Sequence, residues 1–241
     1  PIAIIDDSRH LEHYDIETKK VFSNIGFFTL YELECSVNSV QETLERIQNA
    51  AEEILALKKF PVIIGGEHSI TLGIVKALSK TYKDFSILQL DAHGDLRDEY
   101  EGSKFSHACV MRRCSEITKV IQVGVRSICE EEANFLENTN KVKTFFGNGF
   151  NINEVIDALS ENVYITIDID SLDPGIMPST GTPEPDGLSF KQILDLIKDV
   201  GKKKDIIGID LVELAPIPGN VAPDFLAAKL FYKAIGYSVK T

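Results

Sequence analysis

The chain has 241 residues, 44% of them apolar and 26% charged, with a formal net charge of −12. That length can bury a large core, and no apolar run approaches the length of a membrane span. The acidic balance argues against nucleic acid as a partner, because phosphate binding needs a basic surface, and it suits a cationic small molecule.

In chain order, Asp6, Asp7, Arg9 and His10 interrupt any apolar leader. His10 and His13 read as surface residues. Val40, Leu44, Ile47, Ala51, Ile54 and Leu55 recur at helical spacing. Pro61-Val62-Ile63-Ile64 reads as a buried strand ending in Gly65-Gly66, and 69–80 as a helix. Residues 85–90 form the next strand and 120–125 another. An acid-rich helix over 130–136, a short strand over 141–146 and a helix over 153–159 follow. Val163-Tyr164-Ile165-Thr166-Ile167 and Ile206-Ile207-Gly208-Ile209 are further strands, with helices over 189–200 and 223–235. This alternation predicts an α/β fold with a mostly parallel central sheet, and no linker or repeat divides residues 1–241, so a single domain is expected. Cys35, Cys109, Cys114 and Cys129 form no CxxC pair. They are read as buried reduced thiols of a cytoplasmic protein.

The chemistry gathers at strand ends. Asp91-Ala92-His93-Gly94-Asp95 and Asp168-Ile169-Asp170 each follow an apolar, β-branched run. Alternate residues of an extended chain share a face, so each patch can aim its ligands at one point. His68 follows a third such run. Sites of open parallel sheets form beyond the carboxyl ends of their strands, so these three segments meet on one edge. Four carboxylates balance the charge of two divalent ions, and neutral His68 and His93 add none. A carboxylate-dominated set with some imidazole suits manganese. Three ionisable residues directly after a buried strand are costly unless paired or metal-bound, which favours metal over a structural role. Asp173-Pro174-Gly175 marks a turn, and Asp173 reads as structural.

Five ordered blocks carry a resemblance. Gly65-Gly66-Glu67-His68-Ser69, Asp91-Ala92-His93-Gly94-Asp95, Asp168-Ile169-Asp170-Ser171-Leu172-Asp173-Pro174, Gly181-Thr182-Pro183-Glu184-Pro185-Asp186-Gly187 and Asp210-Leu211-Val212-Glu213-Leu214 resemble the signature blocks of the ureohydrolase family of arginases and agmatinases. The resemblance implies a three-layer α/β/α fold, two Mn2+ per subunit, a homo-oligomer, and hydrolysis of a guanidinium group to urea and an amine. It implies His68, Asp91, Asp95 and Asp168 as ligands of one manganese, and His93, Asp91, Asp168 and Asp170 as ligands of the other. Asp95 would pass a proton to the leaving amine. Glu213 would face the substrate guanidinium, since a carboxylate and a guanidinium can form two parallel charge-assisted hydrogen bonds. His107 would act as proton shuttle or substrate contact.

The loop Leu96-Arg97-Asp98-Glu99-Tyr100-Glu101 lacks the Asn and Ser set of arginases and carries three acids, so it resembles the agmatinase branch. Agmatine, cleaved to putrescine and urea, is the expected substrate. Guanidinobutyrate, arginine and formiminoglutamate are alternatives, and a relic that binds metal structurally is the non-enzyme alternative. Glu99, Glu101 and Glu184 are candidates to meet the distal amine, with Arg97 expected to pair with one of them. The family normally begins with a strand and a Gly- and Arg-rich loop, whereas Pro1 is expected to lie inside the helix that follows them.

Overall fold

A computed structural model describes residues 1–239. It opens with α1 (Ile2–Ser8), a short antiparallel hairpin of β1 (Tyr14–Asp15) and β2 (Lys20–Val21), and α2 (Val40–Ala56). Then come β3 (Val62–Ile64), α3 (Thr71–Thr81), β4 (Ser86–Leu90), α4 (Val110–Ser115), β5 (Lys119–Val123), α5 (Glu130–Asn138) and β6 (Val142–Phe145). The chain continues through α6 (Ile152–Ala158), β7 (Asn162–Asp168), α7 (Phe190–Lys203), β8 (Asp205–Val212) and α8 (Ala222–Ser238). No helix among the described residues is long and apolar enough to cross a membrane.

Six parallel strands make the central sheet in the order β3-β8-β7-β4-β5-β6. Parallel strands are covered on both faces, so their side chains are apolar in both directions. One face packs Leu88, Leu90, Ile121, Ile165, Ile167 and Ile209 against α6, α7 and α8. The other packs Ile87, Val120, Tyr164 and Ile207 against α2, α3 and α4. The helices start where the sequence supplies caps. Ser39 accepts from the Glu42 N–H, and Ser189 with Gln192 closes a capping box on α7.

The sheet and its helices lie where periodicity puts them, with β8 extending to Val212 rather than stopping near Ile209. The hairpin and α4 are unforeseen, because two-residue strands and a six-residue helix are too short to carry a period. Cys109 and Cys114 are buried, but Cys35 is exposed and Cys129 half-buried. Cys35 lies in an unstructured stretch ahead of α2 that gives it nothing to pack against, which corrects the expectation of four buried thiols. His10 and His13 are exposed.

The chain's first elements are clasped to α8. Lys233 is buried with its Nζ 2.7 Å from Asp15 Oδ2 and 3.0 Å from Glu17 Oε1. Phe22 lies against Tyr232 and Tyr237. Burial pushes the Asp15 carboxyl up, but hydrogen bonds from Lys233 and Thr18 outweigh it and hold it below its ordinary range. Its stabilising effect is therefore complete above about pH 4 and fades as pH falls through the lowered native value. Lys233→Ala strands a buried carboxylate, so urea unfolding at pH 7 should show a loss of about 3 kcal/mol. The same comparison at pH 3 should show a smaller loss.

Candidate metal centre

The strand order reverses at β4 and β7. From β4 the sheet grows outward to β5 and β6, and from β7 it grows the opposite way to β8. The connections after these two strands diverge and leave a crevice, where sites of such sheets lie. Asp91 follows β4, and Asp168 ends β7. His68 arrives from β3 through Gly65. A Cβ there would lie 2.4 Å from Ile70 Cδ1 and 2.8 Å from Val212 Cγ1, so any side chain would have to displace both neighbours. Gly124, at φ +95°, follows β5, and a Cβ there would lie 3.1 Å from the Asp91 carbonyl oxygen.

Three carboxylates converge on one imidazole nitrogen. His68 Nδ1 lies 3.1 Å from Asp91 Oδ2, 3.1 Å from Asp95 Oδ2 and 3.3 Å from Asp168 Oδ2. On the other side of Asp91, His93 Nδ1 lies 2.9 Å from Asp170 Oδ2 and 3.7 Å from Asp91 Oδ1. Two ligand sets result, His68 with Asp91 and Asp95, and His93 with Asp91 and Asp170. Asp91 belongs to both. All six expected ligands thus meet in one place. Asp95 holds φ +54° and Glu213 φ +65°. Left-handed backbone is tolerable for Asp and unusual for Glu, so at both residues the surroundings impose the conformation.

The electrostatics call for a cation. Burial and the charges of Asp170 and Asp91 push the Asp168 carboxyl well above its usual range. Burial and the Asp91 charge raise Asp95 to about 7. Burial pulls both imidazoles down, yet the carboxylates prevail. His68 rises well above its usual value, and His93 to about 11. Buried like charges this close need positive charge among them. His68 Nδ1 has no hydrogen-bond partner among the described residues, although three carboxylates surround it. Its Nε2 lies 2.9 Å from Thr166 Oγ1. With a cation taking the place of the Nδ1 proton, a proton on Nε2 would leave the Nδ1 lone pair for the metal. That arrangement is a metal ligand's, and the residues fit a divalent cation pair.

Around this centre, Glu213 is half-buried, and its Oε1 accepts the His68 N–H at 2.7 Å. His107 is exposed. Its N–H donates to Glu67 Oε1 at 2.8 Å, and its Nδ1 is 3.0 Å from the same oxygen, which raises the imidazole. Glu184 Oε1 lies 3.9 Å from His93 Nε2, whereas Glu99 and Glu101 are exposed on the loop after Asp95. Arg97 makes no ion pair among the described residues. Its guanidinium lies 5.2 Å from the Tyr100 ring centroid instead, which corrects the expected acid partner. The cation–π contact leaves the guanidinium charge near the surface without desolvating a carboxylate. Asp173 is structural, its two oxygens accepting from the N–H groups of Gly175 and Gly187.

Residues 1–236 match the family model described as the arginase family. The chain belongs to the arginase family. It is 39% identical to the N(1)-aminopropylagmatine ureohydrolase of Synechocystis, over 98% of this chain and 81% of that one. It is 37% identical to the agmatinase of Halalkalibacterium halodurans, over 97% and 82%. The agmatine ureohydrolase of Thermoplasma volcanium superposes with a TM-score of 0.87 at 32% identity, covering 99% of this chain and 82% of that one. The chain is an agmatinase-like ureohydrolase. Arginase-family enzymes work through paired metal ions, and the cluster here can hold metal.

Three residues of this family member escape a reading of its sequence. Glu67 sits in a quoted block but shows its role only through the fold, since His107 lies 40 positions away. Glu132 caps α5 and accepts the Leu96 N–H at 2.9 Å, tying the ligand loop to that helix. Arg126 follows β5 with no motif around it. Its guanidinium donates to the carbonyls of Asp170 at 2.8 Å, Glu184 at 2.9 Å and Pro185 at 2.9 Å. One planar fork thereby joins the loop bearing Asp170 to the loop bearing Glu184. Lysine keeps the charge but not the fork. Arg126→Lys should lower stability by about 2 kcal/mol in chemical denaturation, and reduce metal retained through gel filtration.

Proposed function

We propose that this ureohydrolase holds two Mn2+ ions and hydrolyses agmatine to putrescine and urea. The observation that carries the reading is the pair of ligand sets sharing Asp91, with His68 Nδ1 facing three carboxylates. His68, Asp91, Asp95 and Asp168 would hold one ion, and His93, Asp91, Asp168 and Asp170 the other. Bound cations of this kind supply Lewis acidity and make water acidic enough to ionise at neutral pH.

The remaining steps belong to side chains. Glu213 spends one oxygen on the His68 N–H and keeps its second to accept from the substrate guanidinium. Its position at the mouth orients the guanidinium carbon toward the metal ligands. Asp95 delivers the proton that the departing amine requires. His107, held through Nδ1 by Glu67, keeps Nε2 for hydrogen bonding to substrate or for exchanging that proton with solvent. Glu184, beside His93, contributes negative potential to a pocket for a dication. The acidic surface, −12 overall, draws the same substrate by its long-range field.

A second reading has a specific support. Relatives from Synechocystis and from Thermus thermophilus, 39% and 36% identical, carry the name N(1)-aminopropylagmatine ureohydrolase. A substrate longer by an aminopropyl group would present the same guanidinium to the same centre. Urea release with added Mn2+ should be compared across agmatine, N(1)-aminopropylagmatine, arginine, guanidinobutyrate and formiminoglutamate. Highest kcat/KM on agmatine supports the first reading, and on aminopropylagmatine the second. Preference for arginine would reject both.

Two substitutions separate the roles. Asp91→Asn should abolish Mn2+ retention and urea release together, because both ligand sets use Asp91. Glu213→Gln should keep the metal content of the unsubstituted protein and lower turnover at least about 100-fold. Full activity in Glu213→Gln would remove its assigned role.

A further inference from the structure

Beneath the metal centre, one polar row crosses the sheet. Parallel register aligns Asp210 with Thr166, Thr166 with Gln89, Gln89 with Gln122, and Gln122 with Thr144. Asp210, Thr166, Gln89 and Gln122 are fully buried, and Thr144 is half-buried. Two residues earlier, the same face carries Tyr164, Ile87, Val120 and Val142 in an apolar cluster. Two residues later on β4 and β7 come Asp91 and Asp168. The row is therefore the last layer of sheet below the ligands, and it is polar where the layer beneath it is apolar.

Its hydrogens run in a fixed direction. At one end Asp210 Oδ2 accepts from the Tyr164 hydroxyl at 2.5 Å and from Thr71 Oγ1 at 2.8 Å. Thr71 has then spent its only hydrogen, so at the 3.3 Å contact between Thr71 and Thr166 no hydrogen comes from Thr71. At that contact the Thr166 hydroxyl therefore donates to Thr71 Oγ1, and its lone pair is left to accept from His68 Nε2. At the other end the Thr144 hydroxyl donates to Gln122 Oε1 at 2.7 Å. Gln122 Nε2 must then donate, and it reaches Gln89 Oε1 at 2.6 Å and the Gly94 carbonyl at 2.6 Å. Gln89 Nε2 in turn donates to Asp91 Oδ2 at 2.7 Å. The Gly94 carbonyl can only accept, so it fixes Gln122 Nε2 as the donor end, and because an amide has one acceptor and one donor end Gln89 is fixed in turn.

We propose that this row is a positioning lattice with two arms, one presenting His68 Nδ1 as a bare lone pair and the other holding Asp91 Oδ2 by a donated hydrogen bond. Thr166 and Gln89 are the contacts to the ligands, Asp210 and the Gly94 carbonyl set the polarity, and Thr144 secures Gln122 from the far edge. Neutral donors perform this task without adding charge to a site that already gathers four carboxylates. The inference rests on the metal-centre reading above.

The test measures Mn2+ affinity of metal-stripped protein by equilibrium dialysis, alongside the melting temperature of the same stripped samples. Thr166→Val and Gln89→Met should each weaken Mn2+ binding by about 10–100-fold, the effect expected when a ligand loses its supporting partner. Thr144→Val should weaken it by a smaller factor, although it touches no ligand. Losses from Thr166→Val and Gln89→Met should multiply, since they cut different arms. Thr144→Val added to Gln89→Met should change nothing further, since both cut one arm. If Gln89→Met does not fold, Thr144→Val at the half-buried edge carries the same test. Melting temperatures that fall while Mn2+ affinity stays at the unsubstituted value would overturn the lattice, as would multiplying losses along the Gln89 arm. Unsubstituted protein that binds no Mn2+ would instead overturn the metal-centre reading.

Discussion

Repulsion among Asp91, Asp95, Asp168 and Asp170 is the constraint around which the surrounding structure is arranged. Four carboxylates in one crevice, three of them against a single imidazole nitrogen, are unstable without cations between them. The fold answers in two ways. It places them at the reversal point of a parallel sheet, where strand ends diverge and leave room. It also surrounds them with fixed donors: the Ala92 N–H on Asp170 at 3.0 Å, the His93 N–H on Asp91 at 2.6 Å, and the Asp170 N–H on Asp168 at 2.9 Å. Backbone donors hold these three carboxylates in orientation while contributing no formal charge.

The same logic reaches the loops. Arg126 brings a guanidinium beside this centre, and it spends its donors on carbonyls rather than on the carboxylates. A cation free to pair with Asp170 would compete with the metal for it. Glu132, in contrast, brings a further buried carboxylate near the ligand loop, but both its oxygens are occupied by the Leu96 and Cys129 N–H groups. Arg126 and Glu132 are thus satisfied locally and leave the ligands' carboxylates unpaired by them.

What could be read from sequence follows from distance along the chain. Asp91, His93 and Asp95 lie within five residues, as do Asp168 and Asp170, and the period of an extended chain aligns them. The sheet strands were legible because burial on both faces makes them continuous apolar runs. Gln89, Gln122, Thr166 and Asp210 each interrupt such a run, yet singly they carry no message. Their meaning comes from register, which sets them side by side, and register is not written within any one strand. Arg126 was silent for a related reason: its partners are backbone carbonyls, which any sequence supplies. Cys35 and Arg97 were misjudged because composition says nothing about whether a loop residue finds a packing partner.

The clasp between Lys233 and the opening hairpin has a kinetic side. Lys233 meets Glu17 across 216 positions of chain. During synthesis the hairpin leaves the ribosome long before its counter-ion exists, and chains of this size fold piecewise as they emerge. Until α8 is translated, Asp15 remains in water, and nothing favours docking of that corner. Translation order therefore leaves this hairpin waiting for a partner made 216 positions later.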